Sequence, residues 1–192
     1  MTYQNKKSTF ANRGMGLEDD LEQSNCHYRL HDIALIYKKP TPITIKKVTY
    51  PNQKYTKITD GYFKKSSTTD YNGIYKGFYI DFEAKETTSK TSFPLSAIHK
   101  HQFDHLEGVS KHGGIAFIIV RFSSNKETFL IGIDFIIDFL KKSDRKSIPY
   151  NIIKETAILI KEGYSPRLDY LSAVDKYINQ GGYYEKIKCN KI

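Results

Sequence analysis

The chain has 192 residues, enough for one domain with a real hydrophobic core. Its 30 Lys and Arg against 21 Asp and Glu give a formal net charge of +9, and a pI of about 9.3 favours a polyanionic partner over an acidic protein or a neutral metabolite. Two cysteines, Cys26 and Cys189, lie far apart without Cys-x-x-Cys spacing, which argues against a disulfide framework or a cysteine zinc site. No run approaches the ~20 apolar residues that cross a bilayer, and the segment from Met1 to Thr9 has no apolar signal core, so a cytosolic protein without a membrane span is expected.

Residues 1–11 are polar and read as a flexible basic arm; Lys6, Lys7 and Arg13 precede the first acid, Glu18. From Gly14 to about Arg29, Met15, Leu17, Leu21 and Tyr28 recur at helical spacing. Glu18, Asp19, Asp20 and Glu22 fall in the first turns, where acids suit the helix dipole. Ile33 to Lys39 reads as a strand. Lys38 to Lys65 then carries Lys38, Lys39, Lys46, Lys47, Lys54, Lys57, Lys64 and Lys65, with Asp60 as its one acid. Its alternating pattern predicts a long hairpin turning near Pro51-Asn52. Few of its residues suit a core, and a long lysine-studded projection suits contact with a polyanion.

Phe78 to Lys85 alternates as a strand, so Asp81, Glu83 and Lys85 share one face. Pro94 to His112 is predicted as a helix stopped by Gly113-Gly114. Ile115 to Phe122 lacks alternation, as expected of a strand covered on both faces, with Phe129 to Ile133 as its hairpin partner. Ile148 to Leu159 and Leu168 to Ile178 read as closing helices. The order predicts an α/β domain with a mixed sheet between helices.

The chemistry concentrates in Asp70 to Lys85. An upstream acid followed by Glu-x-Lys on an apolar strand matches a metal-dependent nuclease site: two carboxylates hold a hard divalent cation, and a lysine beside them supports an attacking water. Charges inside an apolar strand are costly unless used or paired. The competing reading of Glu83 and Lys85 is a surface ion pair worth ~0–1 kcal/mol. His99, His101 and His105 have no His-Glu-x-x-His frame, and no phosphate-binding glycine loop is present.

Taken as a set, Asn12-Arg13-Gly14-Met15, Leu17-Glu18, Tyr37-Lys38-Lys39-Pro40-Thr41-Pro42, Ser66-Ser67-Thr68-Thr69-Asp70-Tyr71-Asn72-Gly73, Asp81-Phe82-Glu83-Ala84-Lys85-Glu86-Thr87, Thr91-Ser92-Phe93-Pro94-Leu95 and Pro166-Arg167-Leu168-Asp169-Tyr170 resemble the RecU family of Holliday junction resolvases. The resemblance runs from about Asn12 to Ile178 and preserves order and spacing. It implies a restriction-endonuclease-like core over residues 12–192, with a β-hairpin stalk inserted at about 41–65, and a homodimer that cuts four-way DNA junctions with Mg2+ or Mn2+. Carried onto this chain, Asp70 and Glu83 are the carboxylate ligands, and Thr68 and Gln102 also line the metal site. Lys85 serves the transition state or the water, and Glu18 adds an acid behind them. Arg13 and the stalk residues Lys54, Tyr55, Lys57, Lys64 and Lys65 are the expected DNA contacts, and recombination proteins are expected as further partners. Two other readings remain open at this level: a junction-binding protein that does not cut, and a sequence-specific restriction endonuclease on the same core.

Overall fold

The computed structural model describes residues 15–52, 55–63 and 68–180. Its elements in chain order are α1 (Met15–Leu30), β1 (Leu35–Lys38), β2 (Ile43–Asn52), β3 (Tyr55–Phe63), β4 (Tyr71–Tyr75), β5 (Phe78–Thr87), β6 (Ser92–Pro94), a 3-10 turn (Leu95–Ala97), α2 (Lys100–Lys111), β7 (Ile115–Phe122), β8 (Glu127–Gly132), α3 (Ile133–Lys142), β9 (Ser147–Pro149), α4 (Tyr150–Thr156), β10 (Ile158–Leu159), β11 (Lys161–Glu162), β12 (Leu168–Asp169) and α5 (Tyr170–Gln180).

A six-stranded sheet in the order β1-β4-β5-β7-β8-β10 forms the middle of the molecule. β5 and β7 run parallel and the other neighbours antiparallel, so the sheet is mixed, as expected. Helices cover both faces. The alternation of β5 divides its side chains: Ile80 and Phe82 enter one core with α1 and α5, while Asp81, Glu83 and Lys85 face the side covered by α2. On the first face Phe82 stacks between Tyr71 and Phe117, with ring centroids 4.8 and 4.9 Å apart; burial of a ring of this size contributes about 2–3 kcal/mol. The second core joins Leu106 of α2 and Ile136 of α3 to Ile118 and Val120. β7 is therefore buried on both sides, which accounts for its unbroken apolar run.

Two backbone features fix the edge that leads to the acids. Lys76 and Gly77 have φ of 50° and 83° and close the β4–β5 hairpin in a two-residue turn beyond the Tyr75↔Phe78 pair. At Gly73 a Cβ would stand 2.0 Å from the Leu35 carbonyl oxygen, so only glycine lets β1 approach β4.

β2 and β3 form the expected lysine-bearing hairpin. Every residue of β3 is exposed, and neither strand packs appreciably on another described element. Register shifts at 45/47, 47/48 and 49/52 mark bulges that twist the ribbon.

Several boundaries differ from the sequence reading. Pro51 and Asn52 are still in β2, with Asn52 paired to Tyr55, so the predicted turn lies too early. The helix expected from Pro94 begins only at Lys100, because Ser92–Pro94 pairs with Ser147–Pro149. That pairing also turns the start of the expected Ile148–Leu159 helix into β9; α4 keeps only Tyr150–Thr156, and its end becomes β10 on β8. Leu168–Asp169 is likewise a short strand before α5. Ile133 opens helix α3 instead of ending a strand. The segment 1–11 lies outside the described residues.

Candidate active site

Glu83 sits at the centre of the covered face of β5 with 1% of its surface exposed. A carboxylate there is tolerable only because donors surround it. Gln102 Nε2 donates to Glu83 Oε1 at 2.7 Å, Lys85 Nζ lies 2.8 Å from the same oxygen, and the Asp70 backbone N–H donates to Oε2 at 3.1 Å. β4 pairs with β5 up to Tyr71↔Phe82, which brings Asp70 alongside Glu83 one step further on. Burial and the neighbouring Asp70 carboxylate push the Glu83 carboxyl up to about 8, against the pull of Lys85.

Gln102 comes from the first turn of α2. Its Oε1 accepts the His99 backbone N–H at 3.0 Å, closing the helix start, while its Nε2 holds Glu83. The amide thus fixes the carboxylate against the helix. Asp70 opens into a cleft of about 520 Å3 lined by Glu18, Lys38, Lys39, Pro40, Thr41, Pro42, Thr68 and Thr69. Glu18 faces this cleft from α1 and pairs with Lys38 at 2.5 Å. The structure therefore gathers Asp70, Glu83, Lys85 and Gln102 into one cluster and sets Thr68 and Glu18 on the wall beside Asp70.

The donor set fits a hard divalent cation. Asp70 and Glu83 offer carboxylate oxygens, and the Asp70 carboxylate opposes ionisation of Glu83, a cost that a bound cation would relieve. Mg2+ commonly binds through one or two carboxylates, keeping waters and taking substrate phosphates for its other positions. Among the described residues no group of three or more His, Cys, Asp or Glu is placed to hold an ion by itself.

The alternation of β5 also puts Asp81 on this face. It is fully buried. Its Oδ2 lies 2.8 Å from Lys39 Nζ, 3.0 Å from His105 Nε2 and 2.7 Å from the Tyr79 hydroxyl. The Thr69 hydroxyl donates to its Oδ1. Tyr79 shares the β5 face two residues from Asp81, whereas Lys39, Thr69 and His105 come from separate segments that no sequence spacing links to it.

The remaining expected DNA contacts divide. Tyr55 and Lys57 are exposed on β3, away from the acid cluster. Arg13, Lys54, Lys64 and Lys65 lie outside the described residues.

The family model described as Recombination protein U, RecU, matches residues 12–176. The chain belongs to the RecU family. A relative in Geobacillus sp. (strain WCH70), named Holliday junction resolvase RecU, is 50% identical over 170 residues, covering 87% of this chain and 85% of its own. Relatives of the same name in Geobacillus kaustophilus and Shouchella clausii are 52% and 47% identical over 169 and 179 residues, covering 86% and 93% of this chain and 84% and 86% of theirs. The acid cluster and its cleft in this RecU-family chain fall within the matched span. Among solved structures, Archaeoglobus fulgidus Hjc, a Holliday junction resolvase, superposes with a TM-score of 0.45 at 9% identity over 76% of this chain and 95% of that one.

Proposed function

We propose that this chain is a Mg2+-dependent endonuclease with a restriction-endonuclease-like core that resolves four-way DNA junctions by paired symmetric nicks, acting as a homodimer. The observation that carries the reading is the Asp70–Glu83 carboxylate pair with Lys85, held beside a cleft that also presents Lys38 and Lys39. The names of relatives about half identical in sequence support the same substrate. A four-way junction has approximate two-fold symmetry, and a two-fold dimer with one site per subunit matches it.

Asp70 and Glu83 would hold the ion, with Thr68 on the adjoining wall. When bound, the ion supplies Lewis-acid stabilisation of the charge that builds on the phosphate. The rest falls to side chains of this chain. Gln102 and the Asp70 N–H keep Glu83 in one orientation. Lys85 is held at Glu83 as an ion pair, and its ammonium, which carries three donors, would orient a water or meet a non-bridging phosphate oxygen. Lys38, paired with Glu18, lines the entry where a phosphodiester would approach. The β2–β3 hairpin supplies exposed Lys46, Lys47 and Lys57 and the rings of Tyr50 and Tyr55 for shape-directed contact with the branch point.

The test is a cruciform plasmid carrying one extrudable junction. Two nicks on opposite strands within one binding event linearise it, and this is the expected product. Accumulation of singly nicked circles alone would contradict paired cutting by a dimer.

A further inference from the structure

Asp81 is the most heavily engaged buried carboxylate among the described residues, and cation binding does not explain it, because its oxygens are already occupied by four donors. What those donors do next is informative. Lys39 Nζ, besides reaching Asp81, donates to Thr69 Oγ1 at 2.8 Å. The Lys39 backbone N–H donates to the Asp70 carbonyl oxygen at 2.7 Å. Asp70 is thus tied at its N–H to Glu83 and at its carbonyl to Lys39. Thr69, between the two cleft residues Thr68 and Asp70, is 2% exposed, and its hydroxyl is shared between Lys39 and Asp81.

We propose that Asp81, acting through Lys39 and Thr69, is the positioning residue that sets the Thr68–Asp70 segment against Glu83 and so shapes the cation site. This rests on the reading of Asp70 and Glu83 as cation ligands. Asp81 is not among the residues that line the cleft and acts through its neighbours. It fixes the direction of the Lys39 ammonium, and the ammonium and the Thr69 hydroxyl together hold the backbone from which Asp70 projects. A shared hydroxyl with both a donor and an acceptor partner has one orientation, which is the condition for a ligand segment held to a fraction of an ångström. The register of β5 makes the arrangement economical: Asp81 and Glu83 stand two residues apart on one face, one anchoring the segment that carries Asp70 and the other meeting Asp70 itself.

The experiment is Mn2+ binding by calorimetry on the full chain without DNA, beside junction cleavage, for wild type, Asp81→Asn, Thr69→Val and the double variant. Thr69→Val keeps the shape and removes only the hydroxyl, so it remains informative if Asp81→Asn does not fold. Each single variant should weaken Mn2+ binding by about 10–100-fold, the usual scale for a group that orients a ligand. Each should also raise the metal concentration for half-maximal cleavage in step, and the double variant should be no worse than the poorer single one. A purely structural role lowers the melting temperature and leaves the metal titration of the folded protein in place. A folded Thr69→Val protein with wild-type Mn2+ affinity overturns the proposal. Wild-type protein that binds no Mn2+ overturns the cation-site reading, and this inference with it.

Discussion

The Asp70 backbone N–H donates to Glu83 Oε2 at 3.1 Å, so the segment that carries one acid is fastened directly to the other. Two carboxylates drawn together in this way are an unfavourable arrangement in the metal-free protein and a prepared one for a cation. Asp70→Ala or Glu83→Ala should lower junction cleavage by roughly 10³-fold, on the scale of losing a principal electrostatic stabiliser. Junction affinity measured in Ca2+ should stay near wild type. Lys85→Ala should slow cleavage while Mn2+ still binds. Near-normal nicking by either carboxylate variant would remove the site.

The same pair makes stability depend on pH. Glu83 has a native value of about 8 against an ordinary 4.5. Between those values the native state keeps a proton that the unfolded chain has released, so stability falls as pH rises through that window. Asp70→Asn removes the opposing charge and lowers the native value. In EDTA at pH 8.5 this variant should therefore be more stable than wild type by about 1 kcal/mol, with the gap closing towards pH 4.5. Urea melts at the two pH values check it; an equal gap at both would show that the acids do not oppose each other.

How much of this was legible in the sequence depends on the range of the interaction. The β5 face showed in the alternation of Ile80 to Lys85, and β7 in its apolar run, because both patterns are local. The true start of α2 did not, since Ser92–Pro94 becomes a strand only by pairing with residues more than fifty positions away. Helix α3 was hidden because Phe129 to Ile133 reads as the hairpin partner of β7, and the strand-to-helix change at Gly132 and Ile133 has no strong marker. Most of the Asp81 network was invisible for the same physical reason: Lys39, Thr69 and His105 reach it only after the sheet and α2 assemble. Thr68 and Gln102 were expected only from the family resemblance, since no spacing argument singles them out.

The hairpin should be dispensable for folding and necessary for branch recognition. Replacing Ile43–Phe63 by a short Gly-Ser turn removes a hairpin whose described residues are mostly exposed and pack mainly on each other. The melting temperature should move by no more than about 2–4 °C, the effect of ~1 kcal/mol in a domain of this size. Preference for junction over linear duplex should be lost, and the slope of log affinity against log salt should become shallower, because Lys46, Lys47 and Lys57 no longer displace counterions. A folded, shortened protein with undiminished junction preference would place shape recognition elsewhere.

Gly73→Ala tests the edge on which Asp70 depends. The added methyl would meet the Leu35 carbonyl at 2.0 Å and Ile36 Cα at 2.6 Å, both backbone atoms. Separation of β1 from β4 should cost about 1–3 kcal/mol, and cleavage should fall with it because Lys39 follows β1 directly. Hydrogen exchange at Leu35–Lys38 and Tyr71–Tyr75 reports the opening; unchanged protection there would contradict the close approach.

The central claim is that the Asp70–Glu83–Lys85 cluster cuts branched DNA with the help of a divalent cation. The most direct measurement incubates the wild-type chain with an end-labelled four-way junction and a linear duplex of matching sequence, each with Mg2+ and with EDTA. The account predicts cleavage of the junction in Mg2+, little of the duplex, and none of either in EDTA. Junction binding without cutting in Mg2+, or cutting of duplex at the same rate as junction, would contradict it.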